Sequence, residues 1–168
     1  MGGSLGAVAV NQAVRDALPE LLRTFQIIHL CGKGKLDESL KGTPGYVQYE
    51  YIQKELADLF AACDLVVSRA GANAICELLA LRKPALLIPL SAKASRGDQI
   101  LNARSFERQG FSMVLEEESL TKETFLAAVR NLYTHRQDYI HTMEECPQSD
   151  AIGTIMGLLN EVTTSSKH

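Results

Sequence analysis

The feature that most constrains this chain is a repeated alternation. Short runs of apolar and β-branched residues are followed by a Gly-rich or polar turn and then by a helix-period stretch. The runs are Phe25–Cys31, Tyr46–Ile52, Asp64–Ser68, Ala85–Leu90 and Met113–Leu115. Helical spacing follows or precedes them in Asn11–Thr24, Leu56–Cys63, Ile75–Leu81, Asp98–Gln109 and the segment opened by Thr121. A further helix is expected over Ile152–Val162, with Thr163–His168 as a frayed tail. Strands alternating with helices predict an α/β fold: a parallel sheet with helices on both faces. In such sheets ligands bind beyond the carboxyl ends of the strands, so the informative residues should lie just after each strand.

The chain has 168 residues, enough for one domain, expected over residues 1–163 with a tail at 164–168. A formal charge of −3 and a pI near 5.8 argue against nucleic-acid binding, which needs a basic surface. Apolar runs such as Ala85–Leu90 are far short of a bilayer span. Cys31, Cys63, Cys76 and Cys146 form no CxxC pair and read as small apolar side chains in a reducing compartment. With no basic region leading into an apolar one at the start, the expected location is cytoplasmic.

Four stretches carry candidate chemistry. Gly2-Gly3-Ser4-Leu5-Gly6 has three readings: a phosphate cradle before a helix, a G-x-S-x-G nucleophile elbow, or a plain turn. The elbow needs a strand before it and a histidine within reach, and His135, His141 and His168 fall in helical or tail segments. Such a turn ordinarily follows a strand, so the first strand is expected to be missing and the chain to be the second half of something longer. Gly32-Lys33-Gly34-Lys35 lacks P-loop spacing and reads as a solvated turn, with His29 before it as a packed core histidine. Ser68–Glu77 is stronger. It follows a buried strand and opens a helix through small residues, so the amides of Ala72, Asn73 and Ala74 can meet a diphosphate and Glu77 can accept from a ribose diol; a small-residue turn with a solvated Glu77 is the alternative. Ser95–Asn102 is a polar loop entering a helix. Asp98 and Gln99 there face a ligand in the crevice, or Asp98 is simply an N-cap.

Three blocks in order, GGSLGA at 2–7, SRAGANAICE at 68–77 and PALLIPL with SRGDQILNA across 84–103, resemble the carboxyl-terminal domain of the MurG-type transferases of glycosyltransferase family 28. The resemblance covers nearly the whole chain. It implies the Rossmann-like donor-binding half of a two-domain GT-B enzyme that moves N-acetylglucosamine from UDP-GlcNAc onto lipid I, giving lipid II in peptidoglycan synthesis. It places Ser4 near the donor phosphates, Tyr51 and Ile52 over the uracil, and Arg69, Ala72, Asn73, Ala74 and Glu77 on the diphosphate and ribose. Asp98 and Gln99 fall on the sugar hydroxyls. Some members carry Gln where this chain has Asp98, and an ionised Asp accepts hydrogen bonds without donating them. The resemblance puts no catalytic residue and no metal or cofactor in this domain. It assigns the acceptor site to an amino-terminal domain, so this chain alone is expected to bind donor without transferring it. The whole protein is expected at the cytoplasmic face of the plasma membrane. A soluble donor-binding subunit of a split UDP-GlcNAc transferase and a non-catalytic nucleotide-sugar module are the alternatives.

Overall fold

In the computed structural model, residues 7–147 are described. Helix α1 (Ala7–Leu21) leads to strand β1 (Ile27–Leu30), a short 3-10 turn at Glu38–Leu40, and β2 (Tyr46–Tyr49). Then come α2 (Leu56–Ala62), β3 (Val66–Ser68), α3 (Ala72–Ala80), β4 (Ala85–Leu87), α4 (Asp98–Arg108) and β5 (Ser112–Val114). After a second 3-10 turn at Glu117–Ser119, α5 (Lys122–Thr134) and α6 (Arg136–Glu144) are the last elements among the described residues.

All strand pairings are parallel, as the alternation predicts. Residue periodicity of two in β4 shows how the layers form. Leu86 and Ile88 pack with Val10, Val14 and Leu18 of α1 and Phe125 and Val129 of α5. Ala85 and Leu87 pack to the other side with Phe60 of α2, Ile75 and Leu78 of α3 and Ala103 of α4. Helices therefore cover both faces of β4, which is wholly buried. Helix α6 closes a third cluster, with Met143 against Leu79 and Phe111.

The structure departs from one expectation. Among the described residues the strands form two sheets, β1–β2 and β3–β4–β5, instead of one. Between β1 and β3 lies a cavity of about 800 Å³, with α1 and α5 on one side and α2 on the other. Ile28 and Val47 stay 41% and 40% exposed, so that side of β1–β2 is thinly covered.

His29 is a packed core residue, as its position in a strand suggests. Asn11 donates through Nδ2 to the Cys31 carbonyl at 2.8 Å, which leaves Asn11 Oδ1 facing His29 Nε2 at 2.9 Å. Tyr46 Oη sits 2.8 Å from His29 Nδ1. One neutral tautomer satisfies all three groups, donating through Nε2 and accepting at Nδ1. Burial, helped by the charge of Arg15, pushes His29 down to about 4. The Gly32–Lys35 stretch is a turn, with Gly32 and Gly34 in left-handed backbone at φ 89° and 70°. Its carboxyl side is held by Arg15, which donates to the Lys35 carbonyl at 2.6 Å.

Candidate functional site

Strand β3 ends at Ser68, and Arg69–Gly71 carry the chain into α3. Gly71 is the N-cap, at φ −65° and ψ 146°, and no side chain caps the helix. Ala72 and Asn73 are exposed and Ala74 is half-buried, so the first turn of this nine-residue helix faces solvent. The first amides of a helix have no partner within it and carry its positive dipole end. A Cβ placed on Gly71 would meet nothing within 4 Å, so the space above the turn is open. Small side chains here leave the backbone donors approachable, which is what an anion with several oxygens requires.

This end of β3 and β4 is cross-braced. Arg69 is 4% exposed, and its Nη1 donates to the carbonyls of Ile88 at 3.1 Å and Pro89 at 3.4 Å. The same guanidinium is paired with Glu117. Leu90 donates its N–H to Gln99 Oε1 at 3.0 Å, which ties the end of the β4 segment to the start of α4. Asn102 Nδ2 donates to the Ala70 carbonyl at 3.1 Å, which ties α4 to the turn before α3. Ser68 Oγ donates to the Arg69 carbonyl at 2.9 Å. The turns after β3 and β4 are thus locked to each other by side chains.

Arg69, Ala72, Asn73, Ala74 and Gln99 come together at this end of β3 and β4. Arg69 is turned into the protein, where it holds the β4 turn instead of reaching into the open space. Glu77 lies in the second turn of α3, half-buried, and burial pushes its carboxyl above the usual range. Asp98 is not an N-cap. That position is Gly97, left-handed at φ 85°, and Asp98 is the exposed first residue of α4, where its charge complements the helix dipole. Tyr51, 59% exposed, and Ile52, half-buried, follow the end of β2, which belongs to the other sheet. Ser4 lies outside the described residues, and with it the choice between cradle, elbow and turn.

Residues 1–155 match the glycosyltransferase family 28 C-terminal domain. The chain belongs to this family. A UDP-N-acetylglucosamine–N-acetylmuramyl-(pentapeptide) pyrophosphoryl-undecaprenol N-acetylglucosamine transferase of Lachnospira eligens is 65% identical over 161 residues, 96% of this chain and 46% of that protein. A protein of the same description from Lachnoclostridium phytofermentans is 62% identical over 162 residues, again 96% of this chain and 46% of the relative. The chain spans about half the length of the curated relatives it matches. Among solved structures, Acinetobacter baumannii MurG superposes with a TM-score of 0.71 over 96% of this chain and 48% of that one, at 23% identity. The fold is that of one half of a GT-B glycosyltransferase.

Within this family 28 domain, the sequence reading missed Asn102 and Glu117. Asn102 stands one turn after Asp98 and Gln99 on α4, a spacing that puts it on the same helix end. Glu117 sits in an acidic run, Glu116–Glu118, that looks like a solvated turn, and nothing in the sequence pairs it with Arg69.

Proposed function

We propose that this domain binds the nucleotide-sugar donor UDP-GlcNAc and that, in the longer protein, it serves an inverting transfer of N-acetylglucosamine to lipid I in peptidoglycan synthesis. The observation that carries the reading is the uncapped, exposed start of α3, held at the carboxyl end of β3 by buried braces. The pyrophosphate would lie on the amides of Ala72, Asn73 and Ala74, and the family resemblance adds Ser4 of the Gly-rich stretch to the phosphate contacts. Glu77 would accept from the ribose hydroxyls, Tyr51 and Ile52 would cover the uracil, and Asp98 and Gln99 would meet the sugar. Arg69 acts at one remove, as a positioning residue for the turn after β4. The relatives' names, at 65% and 62% identity, support the choice of sugar and acceptor.

In the transfer the acceptor C4 hydroxyl attacks C1 of the sugar, the bond from C1 to the β-phosphate oxygen breaks, and UDP departs. The hydroxyl proton passes to a base on the acceptor side. Negative charge builds on the leaving phosphate, and fixed amides at a helix start stabilise it without having to reorient. Acceptor binding would come from the remaining polypeptide, at the cytoplasmic face of the membrane.

Calorimetry with UDP and UDP-GlcNAc tests the reading. Binding of both is expected, and Glu77→Ala should weaken UDP by about 1–3 kcal/mol, as for a hydrogen bond lost at a charged group. No heat with either ligand would reject the site, and unchanged affinity in Glu77→Ala would remove that residue from it.

A further inference from the structure

The Gly32–Lys35 turn offers backbone donors, and one residue takes two of them. Glu50 Oε1 accepts the Gly34 N–H at 2.7 Å, and the Glu50 carbonyl accepts the Gly32 N–H at 2.8 Å. The left-handed backbone at Gly32 and Gly34 brings both N–H groups round to the same partner. The anion that meets this glycine turn is therefore a carboxylate of the chain itself.

The turn is fixed to the core at its far end. Arg15 of α1 donates to the Lys35 carbonyl at 2.6 Å and to Gln48 Oε1 at 3.3 Å. Gln48 of β2 donates through Nε2 to the Asp37 carbonyl at 2.9 Å and accepts the Asp37 N–H at 3.0 Å. Residues 32–37 thus form a fixed point, and Glu50 is tied to it by main chain and side chain together.

What Glu50 ties down is the chain leaving the sheet. Strand β2 ends at Tyr49, and among the described residues it has β1 on one side and no strand on the other. Glu50 comes next, then Tyr51, 59% exposed, and Ile52, half-buried. An exposed ring at the carboxyl end of a parallel strand stands where ligands of such sheets bind, and a nucleobase stacks on an aromatic face. Ordering that ring only on binding would subtract from affinity, so fixing the backbone ahead of it raises affinity.

We infer that Glu50 is a positioning residue for base recognition. It pins the start of the Tyr51–Ile52 segment to the Gly32–Gly34 turn, so that Tyr51 meets the base already in place. The pin works by reach and by acceptor capacity: the Gly34 N–H needs an oxygen where Oε1 stands. The inference rests on the reading that Tyr51 and Ile52 cover the uracil of the donor.

The test compares the unaltered chain with Glu50→Gln, Glu50→Asp and Glu50→Ala. Gln keeps an acceptor oxygen at the same reach and loses the charge, Asp keeps the charge and stops one carbon–carbon bond short, and Ala keeps neither. By calorimetry, UDP affinity should stay within about 2-fold in Glu50→Gln and fall about 10-fold in Glu50→Asp and Glu50→Ala. At saturating UDP, the shift of the Tyr51 ring protons should persist in Glu50→Gln and vanish in the other two, while the amides of Ala72, Asn73 and Ala74 still respond in every form. If Glu50→Ala does not fold, the contrast between Gln and Asp decides alone. Affinity kept by Asp and lost by Gln would assign the effect to charge and overturn the inference. Unchanged affinity in both Asp and Ala overturns it too, as does a response lost at Ala72–Ala74 together with Tyr51, the mark of general support for the fold. A Tyr51 ring that ignores UDP in the unaltered chain while Ala72–Ala74 respond overturns the inference and leaves the diphosphate reading standing; silence at both places rejects the donor reading itself.

Discussion

Replacing Arg69 with Met separates two roles that a cation beside a phosphate site can play. The side chain is buried, donates to the Ile88 and Pro89 carbonyls and pairs with Glu117. Met fills similar volume but donates nothing, so two carbonyls and one carboxylate lose their partner. Breaking a buried pair from one side costs about 3–5 kcal/mol. Glu117 keeps some contact with water, its side chain being 25% exposed, which places the loss near the lower end. With a urea slope of about 2 kcal/mol per M, Arg69→Met should lower the midpoint by about 1.5 M. In a double-mutant cycle with Glu117→Gln, the pair should couple by about 1–3 kcal/mol. UDP affinity should fall as well, because the turn after β4 is no longer held. The reasoning is refuted if Arg69→Met unfolds at the unaltered midpoint while UDP binding is lost, which would make the guanidinium a direct phosphate contact.

Three further outcomes are expected. Gly71→Ala places a Cβ in open space at an ordinary φ of −65°, where the gain from a stiffer unfolded chain is offset by the poorer N-cap, so stability should change by less than about 1 kcal/mol while UDP affinity drops at least several-fold by calorimetry; undiminished affinity would mean the ligand does not approach there. His29 has a folded pKa near 4 against about 6.5 when unfolded, so the unfolded chain takes up the proton first as pH falls. Stability that is complete above pH 6.5 should decline between 6.5 and 4 by up to about 3 kcal/mol, a decline missing from His29→Gln in urea titrations across that range. Thr121 and Thr124 form a reciprocal cap at the start of α5, and Thr121→Ala should cost about 1 kcal/mol in the same assay.

The alternation of strands and helices was legible because each strand's apolar run is buried from two sides, which leaves a near-continuous hydrophobic signature. Strand lengths were not. Phe25–Cys31 reads as one run, yet the strand spans only Ile27–Leu30, and Phe25 spends its ring on an edge contact with Tyr133 at 5.1 Å. Ala85–Leu90 is cut to Ala85–Leu87 by Pro89, which has no N–H for the ladder, although Ile88 still donates to Ser68 at 2.9 Å. Helix α1 begins at Ala7, earlier than its first clear stripe at Val14 and Leu18. The stretch after Leu132 reads as helical, but the bounds of helix α6 were not legible, because Arg136–Glu144 offers few apolar positions and only Met143 is buried.

At the site, the turn from β3 into α3 could be read because small residues between a strand and a helix have few other uses. Which way Arg69 points could not, since its partners Ile88, Pro89 and Glu117 are 19 to 48 positions away and two of them offer only backbone. Gly97 rather than Asp98 caps α4 because the loop turns through left-handed backbone, a choice that a polar residue next to a glycine leaves open. The split of the sheet into two is a property of pairing across space, which periodicity along the chain does not report.

The most direct measurement is the backbone amide spectrum of the isotope-labelled chain titrated with UDP-GlcNAc. The account predicts that the amides of Gly71, Ala72, Asn73 and Ala74 move first and furthest, at the point where β3 passes into α3. Shifts confined to another part of the molecule, or a spectrum that does not change, would contradict it.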